Sequence, residues 1–223
     1  MESGFDVSVI VDNYDVLLIG LAHTLEFTVI CIALGIVWGF LLALMRQGGG
    51  RALEIVAAGY VQLFRGTPVI IQLFWIFFCL PLILGVDLSN FASSIIALSL
   101  YMGAIACESF RQALAGIARD QYDASTALGL SPLQRTLYVV LPQAVLLAVP
   151  NLLSNSVSLF KESALVSAVG MVDLMYVGRS ISNHTARPIE VLTAVALCYF
   201  IVAFPITRVV TVVETRLRRR LAS

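Results

Sequence analysis

Apolar residues fall in five long, nearly uninterrupted stretches that are separated by shorter polar segments. A bilayer core needs about 20 mostly apolar residues per helix, and long continuous runs favour helices over the short alternating strands of a membrane barrel. The pattern therefore predicts about five membrane-spanning helices, at approximately residues 16–45, 56–84, 91–111, 144–170 and 189–213.

Composition supports a chain that lies in a membrane. The 223 residues are 59% hydrophobic and only 13% charged, whereas soluble domains carry roughly a quarter charged residues. The length fits one domain, so residues 1–223 are expected to form a single all-α transmembrane unit. A formal net charge of zero gives no reason to expect nucleic acid as a partner.

The arginines predict the orientation of the chain. They cluster in alternate polar segments, and positively charged loops usually stay in the cytoplasm. We therefore expect the N-terminus outside and the C-terminus in the cytoplasm. The arginines on the predicted inner side are Arg46, Arg51, Arg119, Arg135, Arg216, Arg218, Arg219 and Arg220. Arg65 lies inside the second stretch, which suggests an amphipathic or kinked approach to the membrane before Pro68.

The polar segment at about 112–143 is the most informative part of the sequence. It is too polar to span a bilayer, but it contains an alanine-rich run and then Ser131–Pro132, a pair typical of a helix start. The segment is expected to form two short helices at the membrane surface. Patterning alone leaves two interpretations, a plain connecting hairpin or a docking surface for a partner.

This segment resembles a motif found in the permeases of bacterial ATP-binding-cassette importers. That motif has Glu-Ala-Ala, three residues, Gly, nine residues, Ile, one residue and Leu-Pro. Every spacing is present here, with Asp, Ser and Val as conservative departures, at Asp123, Ala124, Ser125, Gly129, Val139, Leu141 and Pro142.

Other motifs resemble the polar amino acid uptake branch of that superfamily, in the right order and over nearly the whole chain. One is Arg65-Gly66-Thr67-Pro68, which we regard as structural together with Leu141 and Pro142. Another is Glu108 followed by Arg111 in the third stretch. A third is Leu-Pro-Gln-Ala, at residues 141–144. The segment 158–165 is similar to a fourth motif, with departures at Phe160, Glu162, Ser163 and Ala164.

The resemblance implies a MetI-like permease fold and a transport subunit in the bacterial inner membrane. Implied partners are a second permease, alike or different, two ATPase subunits, and a periplasmic or lipid-anchored amino-acid-binding protein. ATP and Mg²⁺ would be bound by the ATPase, because the glycines before Arg51 are not followed by the Lys-Ser/Thr pair of a phosphate loop. The set Asp123, Ala124, Ser125 and Gly129 is then expected to couple the ATPase to the spans.

Polar residues inside the fourth stretch are candidates for a substrate pathway. Asn151, Asn155, Ser158 and Glu162 share one face of the predicted helix, and ionisable groups at membrane depth are commonly functional. The alternative is hydrogen bonding between helices at a dimer seam. With Glu108 and Lys161, the predicted pathway residues are Glu108, Asn155, Ser158, Lys161 and Glu162.

A free amino acid is a zwitterion, so its path needs groups for both charges. Glu108 or Glu162 could receive the α-ammonium, and Lys161, asparagine amides or helix N-termini could meet the α-carboxylate. Lys161 could instead neutralise a glutamate across a helix interface.

Two other classes of protein stay open on sequence alone. An ATP-independent transporter or channel subunit would leave the 112–143 segment unexplained, and an intramembrane enzyme would need a catalytic constellation. No metal site is expected, since the cysteines are dispersed in apolar runs, at Cys31, Cys79, Cys107 and Cys198.

Overall fold

The computed structural model describes residues 5–48 and 50–221, with side chains described as far as residue 216. These residues form helices and short connections, and no strand occurs among them. In chain order the helices are α1 (Ser8–Asp12), α2 (Tyr14–Gly48), α3 (Gly50–Gly66), α4 (Val69–Phe74), α5 (Leu80–Leu84), α6 (Asn90–Ala115), α7 (Arg119–Ala127), α8 (Pro132–Arg135), α9 (Leu141–Glu162), α10 (Leu174–Thr185) and α11 (Pro188–Leu221). Short π-helical turns join α4 to α5 and α8 to α9, and a 3-10 segment, Ser163–Val169, follows α9.

Four of the five predicted spans are confirmed as continuous apolar helices. Those helical stretches are Tyr14–Gly48, Asn90–Ala115, Pro132–Val169 and Pro188–Arg216. Each begins earlier than the sequence indicated, and three of the four also end later, because helices extend past the apolar run into polar residues. The basic tail from Arg218 to Arg220 lies outside the described side chains.

The second predicted span is wrong as one continuous helix. It is a pair of helices, Gly50–Gly66 and Val69–Leu84, bent by 108° at the break between them. Pro68 has extended backbone angles (φ −62°, ψ 136°), and its ring disfavours a helical conformation at the residue before it. The kink suggested by Arg65 and Pro68 is therefore present, and it divides the span.

Gln72 bridges this break. Its Nε2 donates to the carbonyl oxygens of Phe64 (2.7 Å) and Thr67 (3.0 Å), and to Thr67 Oγ1 (2.8 Å). The last carbonyls of a helix lack partners within it, and in a bilayer no bulk water replaces them. The Gln72 side chain thus satisfies the end of α3 and fixes its angle to α4.

Helices α2 and α6 run parallel in close contact at the centre of the bundle. A Cβ added to Gly39 would lie 2.6 Å from both the Ala106 Cβ and the Gly103 carbonyl oxygen, so only glycine fits there. Small residues permit this kind of backbone approach between membrane helices. Helix α9 runs antiparallel to α6. The three helices α2, α6 and α9 contribute Phe27, Leu98 and Leu159, respectively, to one buried apolar cluster.

Helix α10 packs on α2 and α11 at the end of the bundle opposite the α7–α8 segment. Its N-cap is the fully buried Asp173, whose Oδ1 accepts from the Tyr176 N–H at 2.8 Å. The Leu174 N–H donates to Thr24 Oγ1 on α2 at 2.9 Å. Burial raises the pKa of Asp173 to about 6, against its ordinary value of 3.8. These contacts anchor the connection between α9 and α11.

Candidate functional site

A cavity of about 240 Å³ lies between α6, α9 and the end of α3. The structure brings together two of the predicted pathway residues here, Glu108 and Asn155. The Asn155 Nδ2 donates to Ser109 Oγ at 3.1 Å, which fixes its amide across the α6–α9 interface. The full lining is polar apart from one isoleucine: Arg65, Ile105, Glu108, Ser109, Gln112, Asn151, Ser154 and Asn155.

Glu108 is the centre of an ionic cluster that joins three helices. Its carboxylate accepts from Arg111 twice, from Nε to Oε2 at 2.9 Å and from the terminal nitrogen to Oε1 at 2.5 Å. Its Oε2 also lies 3.6 Å from Arg46 on α2 and 3.7 Å from Arg65 on α3. Such a fork-shaped pair is among the stronger protein interactions. Glu108 thus holds α2, α3 and α6 together where it lines the cavity.

The remaining three predicted pathway residues lie in a second cavity of about 410 Å³. Ser158, Lys161 and Glu162 line it beside Ala164 and Leu165. Glu162 lies seven positions after Asn155 along the helix, a rise of roughly 10 Å. The stripe therefore does not form one site; its residues line two separate cavities along one face of α9.

Glu162 keeps one oxygen without a partner. Tyr101 OH on α6 donates to Glu162 Oε1 at 3.4 Å, whereas Oε2 is buried and has no hydrogen bond within the described part of the chain. Lys161 is exposed and forms no ion pair there with Glu162. A buried acceptor beside a cavity suits a ligand that donates hydrogen bonds.

Sequence reasoning missed four polar residues that line the first cavity, Arg65, Ser109, Gln112 and Ser154. It also missed Tyr101, which donates to Glu162 beside the second cavity. Arg65 was regarded only as part of a structural motif, although it lines the first cavity; its charge inside an apolar run was a usable signal. Ser154 and Tyr101 carried no such signal, because their positions depend on how α6 and α9 pack.

The segment between α6 and α9 contains one separate short helix, α7. The second predicted surface helix is wrong as a separate element, because α8 continues through the π-helical turn into α9 and is the first turn of the helical stretch Pro132–Val169. Ser131 caps α8 through a capping box with Gln134, as the Ser-Pro pair indicated. At the end of α7, the Gly129 N–H donates to the Thr126 carbonyl (2.9 Å) and the Leu130 N–H donates to the Ser125 carbonyl (3.1 Å). This pair of bonds is a Schellman motif, and Gly129 has the positive φ, 74°, that the motif requires.

The four residues of the predicted coupling set occupy different environments on this segment. Ser125 is buried and its hydroxyl donates to the Gln121 carbonyl. Asp123 and Ala124 are exposed, and Gly129 has open space around it. The segment thus presents an exposed face at one end of the bundle, where a partner could dock.

Comparison with known proteins identifies the family. Residues 35–219 match the model of the binding-protein-dependent transport system inner membrane component. The chain belongs to this family. The permease is 35% identical over 198 residues to a Rickettsia conorii protein that bears the name of a glutamine transport system permease, with 89% of this chain and 91% of that one covered. It is 30% identical over 219 residues to the glutamate/aspartate import permease GltK of Escherichia coli O6:H1, with 95% and 98% covered.

Solved structures support the same fold for the permease. One is a crystal structure of an amino acid ABC transporter with histidines, at a TM-score of 0.90 and 27% identity, with 96% of this chain and 99% of that chain covered. Another is the MetNI methionine ABC transporter in an inward-facing conformation, at a TM-score of 0.68 and 26% identity, with 88% and 95% covered. The predicted all-α, MetI-like permease fold and the resemblance to amino acid importers are therefore confirmed. The permease is a multi-pass inner membrane transport subunit.

Proposed function

We propose that this permease carries polar amino acids across the bacterial inner membrane as part of an ATP-driven importer. Its partners in this proposal are a second permease, two ATPase subunits that bind ATP and Mg²⁺, and an amino-acid-binding protein outside. The relatives named for glutamine and for glutamate and aspartate support this substrate class.

The observation that carries the proposal is the polar face of α9. Its residues line two cavities along a helix that is mostly apolar elsewhere, and in the first cavity Asn155 lies with Glu108 at the α6–α9 interface. A lipid-facing stripe of amides and carboxylates would be strongly unfavourable. A path for a polar solute between two permease subunits explains this face. The five residues proposed to line it are Glu108, Asn155, Ser158, Lys161 and Glu162.

The segment α7–α8 is proposed to couple the ATPase to the spans. It follows α6 and precedes α9 in the chain, and these two helices line the first cavity. A displacement of α7 would therefore be transmitted to both helices through short connections. The proposed contact set is Asp123, Ala124, Ser125 and Gly129. This arrangement requires the N-terminus outside and the C-terminus in the cytoplasm.

The experiment begins with a tagged permease purified from its native membranes. Mass spectrometry of the copurified chains identifies the ATPase and tells whether the second permease is identical. The complex is then reconstituted in proteoliposomes with its binding protein, and uptake of labelled L-glutamine, L-glutamate and L-aspartate is measured.

We expect uptake that requires ATP on the ATPase side and stops with a non-hydrolysable analogue. Empty liposomes and liposomes with the ATPase alone are the controls. Uptake that proceeds equally without ATP would support the ATP-independent transporter instead. A complex that hydrolyses ATP but moves none of the three amino acids would overturn the proposed substrate class.

A further inference from the structure

We infer that Arg65 receives the α-carboxylate of the amino acid in the cavity between α3, α6 and α9. This inference rests on the proposed function and adds a specific contact to it. It differs from the expectation that Lys161 meets the carboxylate, because Lys161 lies in the other cavity. The amides of Asn151 and Asn155 line the same cavity as Arg65, but they carry no charge.

The charges around the cavity favour an anionic group. Three arginines meet one glutamate, so the formal charge of the cluster is +3 − 1 = +2. Both oxygens of Glu108 already accept hydrogen bonds, from Arg111 and from Gln112 at 3.3 Å. Glu108 is therefore poorly suited to take up an additional ammonium group, whereas the excess positive charge attracts a carboxylate.

Arg65 is the arginine whose guanidinium N–H donors are available to that carboxylate. Arg111 uses two of its nitrogens on Glu108. Arg46 lies as near to Glu108 as Arg65 does, but it faces another cavity, beside Arg51 and Glu54. The Arg65 side chain is 48% exposed, lines the first cavity, and forms no hydrogen bond within the described residues.

The local structure holds Arg65 in this position. It is in the last turn of α3, where the helix dipole favours a cation, immediately before the 108° break. Gln72 ties the two sides of the break together through the carbonyls of Phe64 and Thr67. The guanidinium of Arg65 therefore lies at a helix end that Gln72 holds in place. Its planar N–H donors match the geometry of a carboxylate in a bidentate pair.

Arg65 contacts a group that all amino acids share, so it should set the class of substrate and not the side chain that is preferred. The test compares Arg65→Gln, Arg65→Lys and Arg46→Gln in the reconstituted complex with its binding protein. Uptake of L-glutamine, L-glutamate and L-aspartate is measured beside the ATP hydrolysis that the loaded binding protein stimulates. Arg46→Gln is the matched control, since it removes a charge at an equal distance from Glu108 but outside the cavity.

We expect Arg65→Gln to lower uptake per ATP hydrolysed by about tenfold or more for every amino acid that the wild type imports. Uptake per ATP in Arg65→Lys should lie between that of Arg65→Gln and the wild type, because lysine keeps the positive charge but lacks the paired, planar N–H donors of a guanidinium. Arg46→Gln should lose clearly less uptake than Arg65→Gln, because it lowers the charge of the cluster but leaves the guanidinium of Arg65 in the cavity. Stimulated ATP hydrolysis should persist in all three variants, which a purely structural role of Arg65 would not predict.

Equal losses in Arg65→Gln and Arg46→Gln would overturn the inference, since both arginines would then act only by neutralising Glu108. If Arg65→Gln does not assemble, the Arg65→Lys variant decides the question. Wild-type uptake in that variant overturns the inference, and reduced uptake per ATP hydrolysed supports it. A wild-type complex that imports none of the three amino acids overturns the proposed function itself, and the inference with it.

Discussion

Replacement of Gly129 by alanine tests the proposed coupling role of α7. Gly129 has φ 74°, and a Cβ added there would meet no atom within 4 Å. The substitution therefore creates no clash, and its effect comes from the backbone alone. For an L-residue with a side chain, the left-handed conformation is less favourable by roughly 1–2 kcal/mol.

That free energy changes the population of the observed loop conformation by a factor of about 5 to 30. The Schellman bonds at the end of α7 would be weakened in proportion, and α7 would lose its fixed orientation. We expect the ATPase to bind the permease about 5- to 30-fold more weakly and uptake per ATP to fall. Titration of the purified ATPase into permease in nanodiscs measures the Kd.

Gly59→Ala is the matched control. Gly59 lies within α3, and a Cβ there also meets nothing within 4 Å. In a regular helix the change from glycine to alanine is favourable by about 1 kcal/mol, so stability should rise and the Kd should stay unchanged. Gly129→Asn should fall between the wild type and Gly129→Ala, because asparagine tolerates the left-handed conformation better. A wild-type Kd and wild-type uptake in Gly129→Ala would refute the coupling role.

Three further predictions follow from the same structure. Glu108→Gln keeps the size of the side chain and removes its charge, so import should slow by about tenfold while the loaded binding protein still docks; loss of assembly would indicate a structural charge, and unchanged kinetics would reject the pathway. Gln72→Leu leaves two carbonyls at the end of α3 without a partner and should lower stability by about 1–3 kcal/mol, seen as a lower Tm in detergent; an unchanged Tm would mean that the bend needs no brace. In a variant without native cysteines, Ser3→Cys should react with an impermeant thiol reagent in intact cells and Ser223→Cys should not; the reverse labelling would invert the topology.

Much of the candidate site could be predicted from residue type and spacing. The period of α9 already placed Asn155, Ser158 and Glu162 on one face, because that relation depends only on helix geometry. The Ser131–Pro132 start of α8 was equally local. Each of these features is decided within a few residues of chain.

Contacts between helices could not be predicted in this way. The amphipathic pattern of α9 does not predict that the residues of its stripe line two separate cavities, since the first cavity depends on where α6 packs against α9 and where the end of α3 lies. The second apolar stretch is long enough to span as one helix, yet the helix breaks before Pro68, and Gln72 holds the two halves at an angle. The resulting angle brings Arg65 to Glu108.

The sequence by itself determined that this chain spans a membrane, which parts are helical and which residues face together on one helix. The length of an apolar stretch, its periodicity and the helix caps are local properties, so they can be identified from the sequence without knowledge of the fold. The tertiary structure alone decided that Glu108 is shared by Arg46, Arg65 and Arg111, which come from three helices. It could do so because only glycines such as Gly39 let α2 approach α6 closely enough for these side chains to meet.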